Sequence, residues 1–355
     1  SSCIPMMPKA LAAVIVLAAA AVLVMLLITY RSTAPPVEPR TNASVAPQIS
    51  TESSTSVVPN QTTTSVGPSS TAVTTITQSN QTSVNSSATA TTSASATQTS
   101  GGCVVLTWTG PSQYPTASVG GYIMQINMWN IKSASGTATM RYCDGVFYYE
   151  QALKDIAEAD PNAWVAGYPE IWLGYKPWAG AASPNSPFPI KISAAESSNF
   201  TISVEYSVEV PDPTLPFDFA FDLWVTKSTG ERSVGQGEQE IMIWLYYQQL
   251  IPAGEKVGEV RIPLVVNGSP VEAVFHVYRK EGMPWEYIAF VLSKPMRSGS
   301  VSFRLADFIR AAATYTALSN YPDMWLNDVE LGSEFGSPFT TEAAFRWTLK
   351  MRWSG

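Results

Sequence analysis

Histidine is almost absent from this chain: His276 is the only one in 355 residues. A Ser-His-Asp or Cys-His relay would have to run through it. It lies in Val274-Phe275-His276-Val277-Tyr278, a β-branched and aromatic run that reads as the inside of a strand, and no Gly-x-Ser-x-Gly elbow accompanies it. We expect a strand residue without a catalytic role. The same scarcity removes histidine-based metal sites, so neither a metal nor a cofactor is expected. Cysteine is nearly as rare, at Cys3, Cys103 and Cys143. Charge is sparse too: Lys and Arg number 21 against 28 Asp and Glu, for a net −7, with no basic run and no Gly-rich phosphate loop. Such a surface repels a polyanion, which excludes nucleic acid as an expected partner.

What is present divides the chain by composition. Ala10 to Ile28 is continuously apolar, flanked by Lys9 and by Tyr30-Arg31. A signal-peptide core runs about 7–15 residues and a spanning helix needs about 20. Residues 1–31 therefore read as a signal-anchor, with a long signal peptide as the other option. Residues 32–102 are Ser, Thr, Ala, Gln and Pro with almost no charge. They hold too little apolar surface to offset the entropy of ordering and read as a disordered, O-glycosylated linker outside the cell. Asn-x-Ser/Thr sequons fall at Asn42, Asn60, Asn80, Asn85, Asn199 and Asn267. The protein is thus expected to be extracellular, secreted or tethered by its N-terminal segment, with the membrane as a partner if that segment is uncleaved.

Residues 103–355 are long enough to bury a core. Short alternating or β-branched runs recur at Gly121–Trp129, Thr137–Tyr142, Phe200–Val210, Asp218–Val225, Gln239–Gln248, Lys256–Val266, Val271–Tyr278, Tyr287–Ser293 and Glu342–Trp353. Turn signals such as Asn267-Gly268 separate them. Only Ser302–Leu318 sets Leu305, Phe308, Ile309, Ala312 and Tyr315 at helical spacing. The fold class is all-β: a jelly-roll sandwich with one helix packed on an outer face. Cys103 and Cys143 bracket the first hairpins, and in an extracellular domain their expected fate is one disulfide.

One strand carries the chemistry. In Glu238-Gln239-Glu240-Ile241-Met242-Ile243-Trp244-Leu245, alternation puts Ile241, Ile243 and Leu245 on one face and Glu240, Met242 and Trp244 on the other. The first face must be core. The second sets a carboxylate beside a thioether and an indole, and the strand alone leaves two readings open: a solvated carboxylate or a catalytic one. Glu238 shares that face and is the rival. A second candidate, Glu334, sits in Gly332-Ser333-Glu334-Phe335-Gly336, whose glycines suggest a strand end closely approached by another group. With histidine nearly gone, paired carboxylates remain, and these are the machinery of glycoside hydrolysis.

Glu240-Ile241-Met242-Ile243-Trp244 resembles the Glu-x-Met-x-Trp signature around the nucleophile of glycoside hydrolase family 12, a family of jelly-roll endo-β-1,4-glucanases. Val329–Gly336 resembles that family's C-terminal motif bearing the acid/base. Asn127-Met128-Trp129, the run Gly167-Tyr168-Pro169-Glu170-Ile171 through Tyr175-Lys176-Pro177-Trp178, and Phe221-Asp222-Leu223-Trp224 fit three further motifs in order. Asn130 departs from the pattern, which usually has Gly there. The resemblance implies retaining double displacement with Glu240 as nucleophile and Glu334 as acid/base, the carboxyls about 5–5.5 Å apart. It implies Asp222 and Met242 as supports of the nucleophile, Asp222 by a hydrogen bond. It implies Asn127, Trp129, Tyr168, Glu170, Trp178 and Trp244 as substrate-binding, and a monomer acting on β-glucan polysaccharide. Cellulose, mixed-linkage glucan, xyloglucan and xylan stay open as substrates. A non-catalytic jelly-roll carbohydrate binder and a structural surface domain are the alternatives.

Overall fold

The computed structural model describes residues 97–98, 102–281 and 284–355. The expected anchor, the linker apart from residues 97, 98 and 102, Cys3 and the four N-terminal sequons lie outside them. Thr97–Gln98 pair antiparallel with Val104 and Val105.

Strand is the dominant regular structure of the described chain. The longer strands are β1 Val104–Trp108, β2 Thr116–Val119, β3 Tyr122–Gln125, β4 Ile131–Cys143, β5 Val146–Glu158, β6 Glu170–Lys176, β7 Thr201–Glu209, β8 Phe217–Thr226, β9 Gln239–Gln248, β10 Glu255–Val266, β11 Ser269–Lys280, β12 Glu286–Leu292, β13 Ser298–Arg304, β14 Asp328–Gly332 and β15 Ala343–Ser354. They form one hydrogen-bonded path, β1-β4-β5-β15-β7-β13-β10-β11-β12-β9-β8-β14-β6-β3-β2, folded over into a sandwich. Only β9 and β12 pair in parallel along this path. Turn chemistry fixes the registers at the tips. Asn267 (φ 49°) and Gly268 (φ 79°) join β10 to β11 with both residues left-handed, as a two-residue hairpin loop requires.

The two layers differ in burial. β5, β7 and β15 alternate between buried and exposed, because one face is wet. β8, β12 and β14 are buried on both faces, and β6 and β9 almost so. One face of this second layer enters the main core with Ile241, Ile243, Leu245, Phe221, Leu223, Val329, Leu331, Ile171 and Leu173. Its other face carries carboxylates and indoles. The all-β sandwich expectation holds, as does the inward face of β9.

Helix α2, Leu305–Tyr315, buries Leu305, Ala306, Phe308, Ile309 and Ala312. Phe308 meets Phe275, Phe290 and Phe303 edge-on at ring distances of 5.1, 5.4 and 5.1 Å. The single-helix expectation needs correction. A short α1, Ile192–Ser197, buries Ile192 and Ala195 and packs against α2. Six residues are too few to show a period, and packing rather than propensity holds them. Cys103 and Cys143 are joined by the expected disulfide, tying the start of β1 to the end of β4.

Candidate active site

Cross-strand register assembles the site. Partners in register face the same way. Glu240 on β9 is opposite Trp224 on β8, Met242 opposite Asp222, and Trp244 opposite Ala220. From β8 the rows continue: Asp222 to Glu330 on β14 and Trp172 on β6, and Ala220 to Gly332 and Glu170. On the β12 side, Glu240 faces Tyr287 and Met242 faces Ala289. A bulge at Leu245 shifts the β8–β9 register between Phe219 and Ala220, next to Asp218.

Glu334 follows β14, where the chain leaves the sheet. Asp218 grips it twice: the Glu334 N–H donates to Asp218 Oδ1 at 3.1 Å, and the Asp218 N–H donates to Glu334 O at 3.0 Å. Gly332 permits the close packing the sequence suggests, since a Cβ there would lie 2.3 Å from Pro169 O. Glu240 is only 8% exposed, and Glu334 is half-buried. The Glu240 carboxylate accepts the Trp285 indole N–H at 2.6 Å.

Four carboxyls crowd this face, and water does little to screen them. Burial first, then the charge of Glu334, pushes Glu240 up to about 8, against the pull of the Trp285 hydrogen bond. Burial, then Asp218, holds Glu334 well above the usual range. Burial lifts Asp218 to about 7 and, with the charge of Glu240, lifts Asp222 strongly. The cluster can therefore hold protons at neutral pH.

Beside it, on β6 and β14, lies a buried ionic cluster. Lys176 Nζ reaches both oxygens of Glu170 at 2.7 Å and Glu330 Oε2 at 2.6 Å, all three fully buried. Asn127 Nδ2 donates to Glu170 at 2.9 Å, and Asp328 Oδ1 accepts the Trp224 backbone N–H at 3.0 Å. Burial, then Glu330, raises Glu170 well above its usual range; burial raises Glu330 to about 8 although Lys176 opposes it. Two carboxyls around one ammonium are neutral when they share one proton.

The profile of glycosyl hydrolase family 12 matches residues 120–352. The chain belongs to glycosyl hydrolase family 12. Endoglucanase S of Pectobacterium parmentieri is 25% identical over 173 residues, covering 48% of this chain and 60% of that protein, so the chain spans less than two thirds of that relative. The fold is shared with endoglucanase cel12A from Rhodothermus marinus (TM-score 0.53, 23% identity, 70% of this chain and 98% of that one). It is shared also with a metagenome-derived family 12 endoglucanase (TM-score 0.55, 22% identity, 72% and 98%). A family 12 xyloglucanase from Bacillus licheniformis shares it as well (TM-score 0.52, 19% identity, 70% and 97%).

Within this family 12 domain, the residues singled out by sequence fall into three groups. Glu240, Glu334, Asp222 and Met242 meet on one face. Trp129 and Trp178 stand at the surface, 43% and 44% exposed, and Asn127 is half-buried. Tyr168, Glu170 and Trp244 are buried, which corrects their reading as sugar contacts. The Tyr168 hydroxyl bonds Ala220 O at 2.9 Å, Glu170 is locked to Lys176, and Trp244 Nε1 bonds Met242 Sδ at 3.4 Å. Each of these groups is bonded within the protein. Asp222 is also corrected: its Oδ1 is buried without a hydrogen-bond partner, and the bond to Glu240 comes from Trp285. Trp129 lies beyond the strand expected to carry it, since β3 ends at Gln125. Glu238 is no rival, because Lys227 N and Gly235 N occupy both its oxygens at 2.9 and 2.8 Å, closing the β8–β9 connection. His276 lies on β11 with Nε2 3.3 Å from Glu259 Oε1.

Sequence reasoning missed Asp218, Trp285, Glu330 and Asp328. Trp285 packs with Trp178 and Trp224 into a three-indole cup at 5.4–5.5 Å ring distances, beside Glu240. Asp218 carried a signal, since it lies two and four residues from Ala220 and Asp222 on one strand face. Trp285 carried none, because a parallel pairing of distant segments delivers it.

Proposed function

We propose that this chain is a retaining endo-β-1,4-glucanase that cleaves internal linkages of cellulose-type or mixed-linkage glucans. Glu240 attacks the anomeric carbon and forms a glycosyl-enzyme. Glu334 gives its proton to the leaving oxygen, then takes one from the water that releases the sugar. The observation that carries this reading is that Glu240 and Glu334 come together on one face with unlike neighbours, although burial raises both carboxyls. Glu240 receives an indole hydrogen bond that favours its anion, while Glu334 faces Asp218, which favours its acid. Asp222 lies beside Glu240, whose charge, after burial, raises the Asp222 carboxyl. The indole cup of Trp178, Trp224 and Trp285 suits the apolar face of a pyranose. The domain acts as a monomer outside the cell, with residues 10–28 as anchor or signal and residues 32–102 as glycosylated spacer.

The test is release of reducing ends from soluble β-glucan by the protein and by Glu240→Gln and Glu334→Gln. Each variant is expected to lose on the order of 10,000-fold in turnover. Glu240→Gln should still bind polysaccharide, because Gln keeps the size and loses only the nucleophilic charge. Substantial turnover by Glu240→Gln, or an equal loss from Glu238→Gln, sinks the assignment.

A further inference from the structure

Trp164 occupies a backbone conformation that tryptophan rarely adopts. Its φ is 73° and its ψ −57°, and the Val165 N–H donates to Ala163 O at 3.0 Å, closing a three-residue turn around it. That is the strained form of the γ-turn, which glycine adopts far more readily. Trp164 is nevertheless a tryptophan, and its side chain is 52% exposed. No other aromatic ring among the described residues packs on it. Strain kept at an exposed, bulky residue points to a use for that residue.

The turn is held from outside. Asn130 is buried, and its Nδ2 donates to Asp160 O at 3.0 Å and Val165 O at 2.8 Å. Its Oδ1 accepts the Asp160 N–H at 2.8 Å, and its backbone N–H donates to Ala166 O at 3.1 Å. This is the position where the resembled family pattern has Gly, which has no side chain to make three of these four bonds. The neighbour of Asn130 is the exposed Trp129, so one amide ties together the backbones that carry two exposed indoles. The turn also adjoins the site. Val165 packs in the cluster with Met242, Trp244 and Tyr287, and the Ala166 N–H donates to Phe335 O at 2.9 Å, one residue past Glu334.

We propose that Trp164 is a glycosyl-binding platform that extends the cleft beyond the catalytic carboxyls, its indole stacking on one further residue of a β-linked glucan chain. A pyranose offers the indole an apolar C–H face, and the Asn130 bonds tie the Trp164 turn to the backbone that carries the exposed Trp129. This rests on the glucanase reading above for its ligand class. The strain persists because the exposed indole is useful, and the Asn130 clamp keeps it from relaxing.

The experiment compares the full chain with Trp164→Ala, Trp164→Tyr and Trp164→Gly. It measures kcat/KM on cello-oligosaccharides of increasing length and on soluble β-glucan, calorimetric binding of cellohexaose, and melting temperature. Trp164→Ala should lose on the order of 10-fold on long substrates and in cellohexaose binding, with less than twofold loss on the shortest oligosaccharide cleaved. Trp164→Tyr should restore most of it. Trp164→Gly should bind as poorly as Trp164→Ala yet melt higher than the parent, because glycine relieves the turn. A structural indole would instead melt lower. Equal losses on short and long substrates, or unchanged binding in Trp164→Ala, overturn the platform. If the parent cleaves no β-glucan but binds cellohexaose through Trp164, the catalytic reading fails and the platform stands; if it binds none, the platform fails too.

Discussion

Two single side chains set the proton positions that the proposed chemistry needs. Among the described residues, the Trp285 indole is the one hydrogen-bond donor on Glu240, and it opposes the burial and repulsion that lift its pKa. Trp285→Phe removes that donor. Glu240 then ionises at higher pH, and the acid limb of the kcat/KM profile moves upward. A hydrogen bond to a charged group contributes about 1.5–3 kcal/mol, so the loss should be about 10- to 100-fold. Asp218 acts on the other partner. Its carboxylate raises Glu334 by repulsion and by their shared hydrogen bond. Asp218→Asn takes that charge away, Glu334 gives up its proton at lower pH, and the alkaline limb moves down. A pH–rate profile of each variant checks both directions; unmoved limbs would leave Trp285 and Asp218 with structural roles alone.

At the scale of elements, β6 and β14 place one buried ammonium between two buried carboxyls. Lys176→Met leaves Glu170 and Glu330 facing each other, and breaking a buried pair costs roughly 3–5 kcal/mol. Both carboxyls already lean towards protonation. The destabilisation should therefore be smaller at pH 5 than at pH 8, a difference that urea titrations at the two pH values will reveal. These same strands were hard to read. β6 contains Gly174, which looks like a break but has φ 110° and no room for a Cβ against Asn327 O, 2.5 Å away. β14 is five residues long and buried on both faces, so it shows no alternation. β5 alternates well in the structure, yet its second half, Glu150-Gln151-Ala152-Leu153-Lys154, has the composition of a helix. β9 was legible end to end, because one strongly apolar face alternates with a polar one and no Gly or Pro interrupts it.

For the whole molecule, the raised carboxyls make stability fall as pH rises. Glu240 and Glu330 at about 8 and Asp218 at about 7 hold protons in the folded protein that the unfolded chain has released by about pH 4.5. Between those values the native state binds more protons than the unfolded one, so each step up in pH favours unfolding. This stability is fully present below about pH 4 and is lost as pH passes through about 7–8. Melting temperature should thus be higher at pH 5 than at pH 8, and Glu240→Gln, which cannot ionise, should flatten the slope. A melting temperature that rises across this window would contradict the assignment of these groups as proton-holding. The disulfide is the other global restraint. It spans 40 residues of sequence, and Cys103→Ser should cost about 4 kcal/mol by loop entropy.

Local pattern was enough to determine the all-β class, the inward face of β9, the α2 helix and the Asn267-Gly268 hairpin, and to single out Glu240 and Glu334 as candidates, because each rests on alternation, period, turn chemistry or a short contiguous motif; the disulfide followed from the scarcity of cysteine. The tertiary structure alone decided which residues touch. Parallel pairing of β9 with β12 brings Trp285 to Glu240 across 45 positions, and the β8–β14 pairing brings Asp218 to Glu334 across 116. It also decided that Glu170 and Trp244 are buried, Glu170 against Lys176 and Trp244 against Met242. A strand's period says which two faces exist, but only the packing of a second layer says whether the polar face meets water, another carboxylate or a lysine.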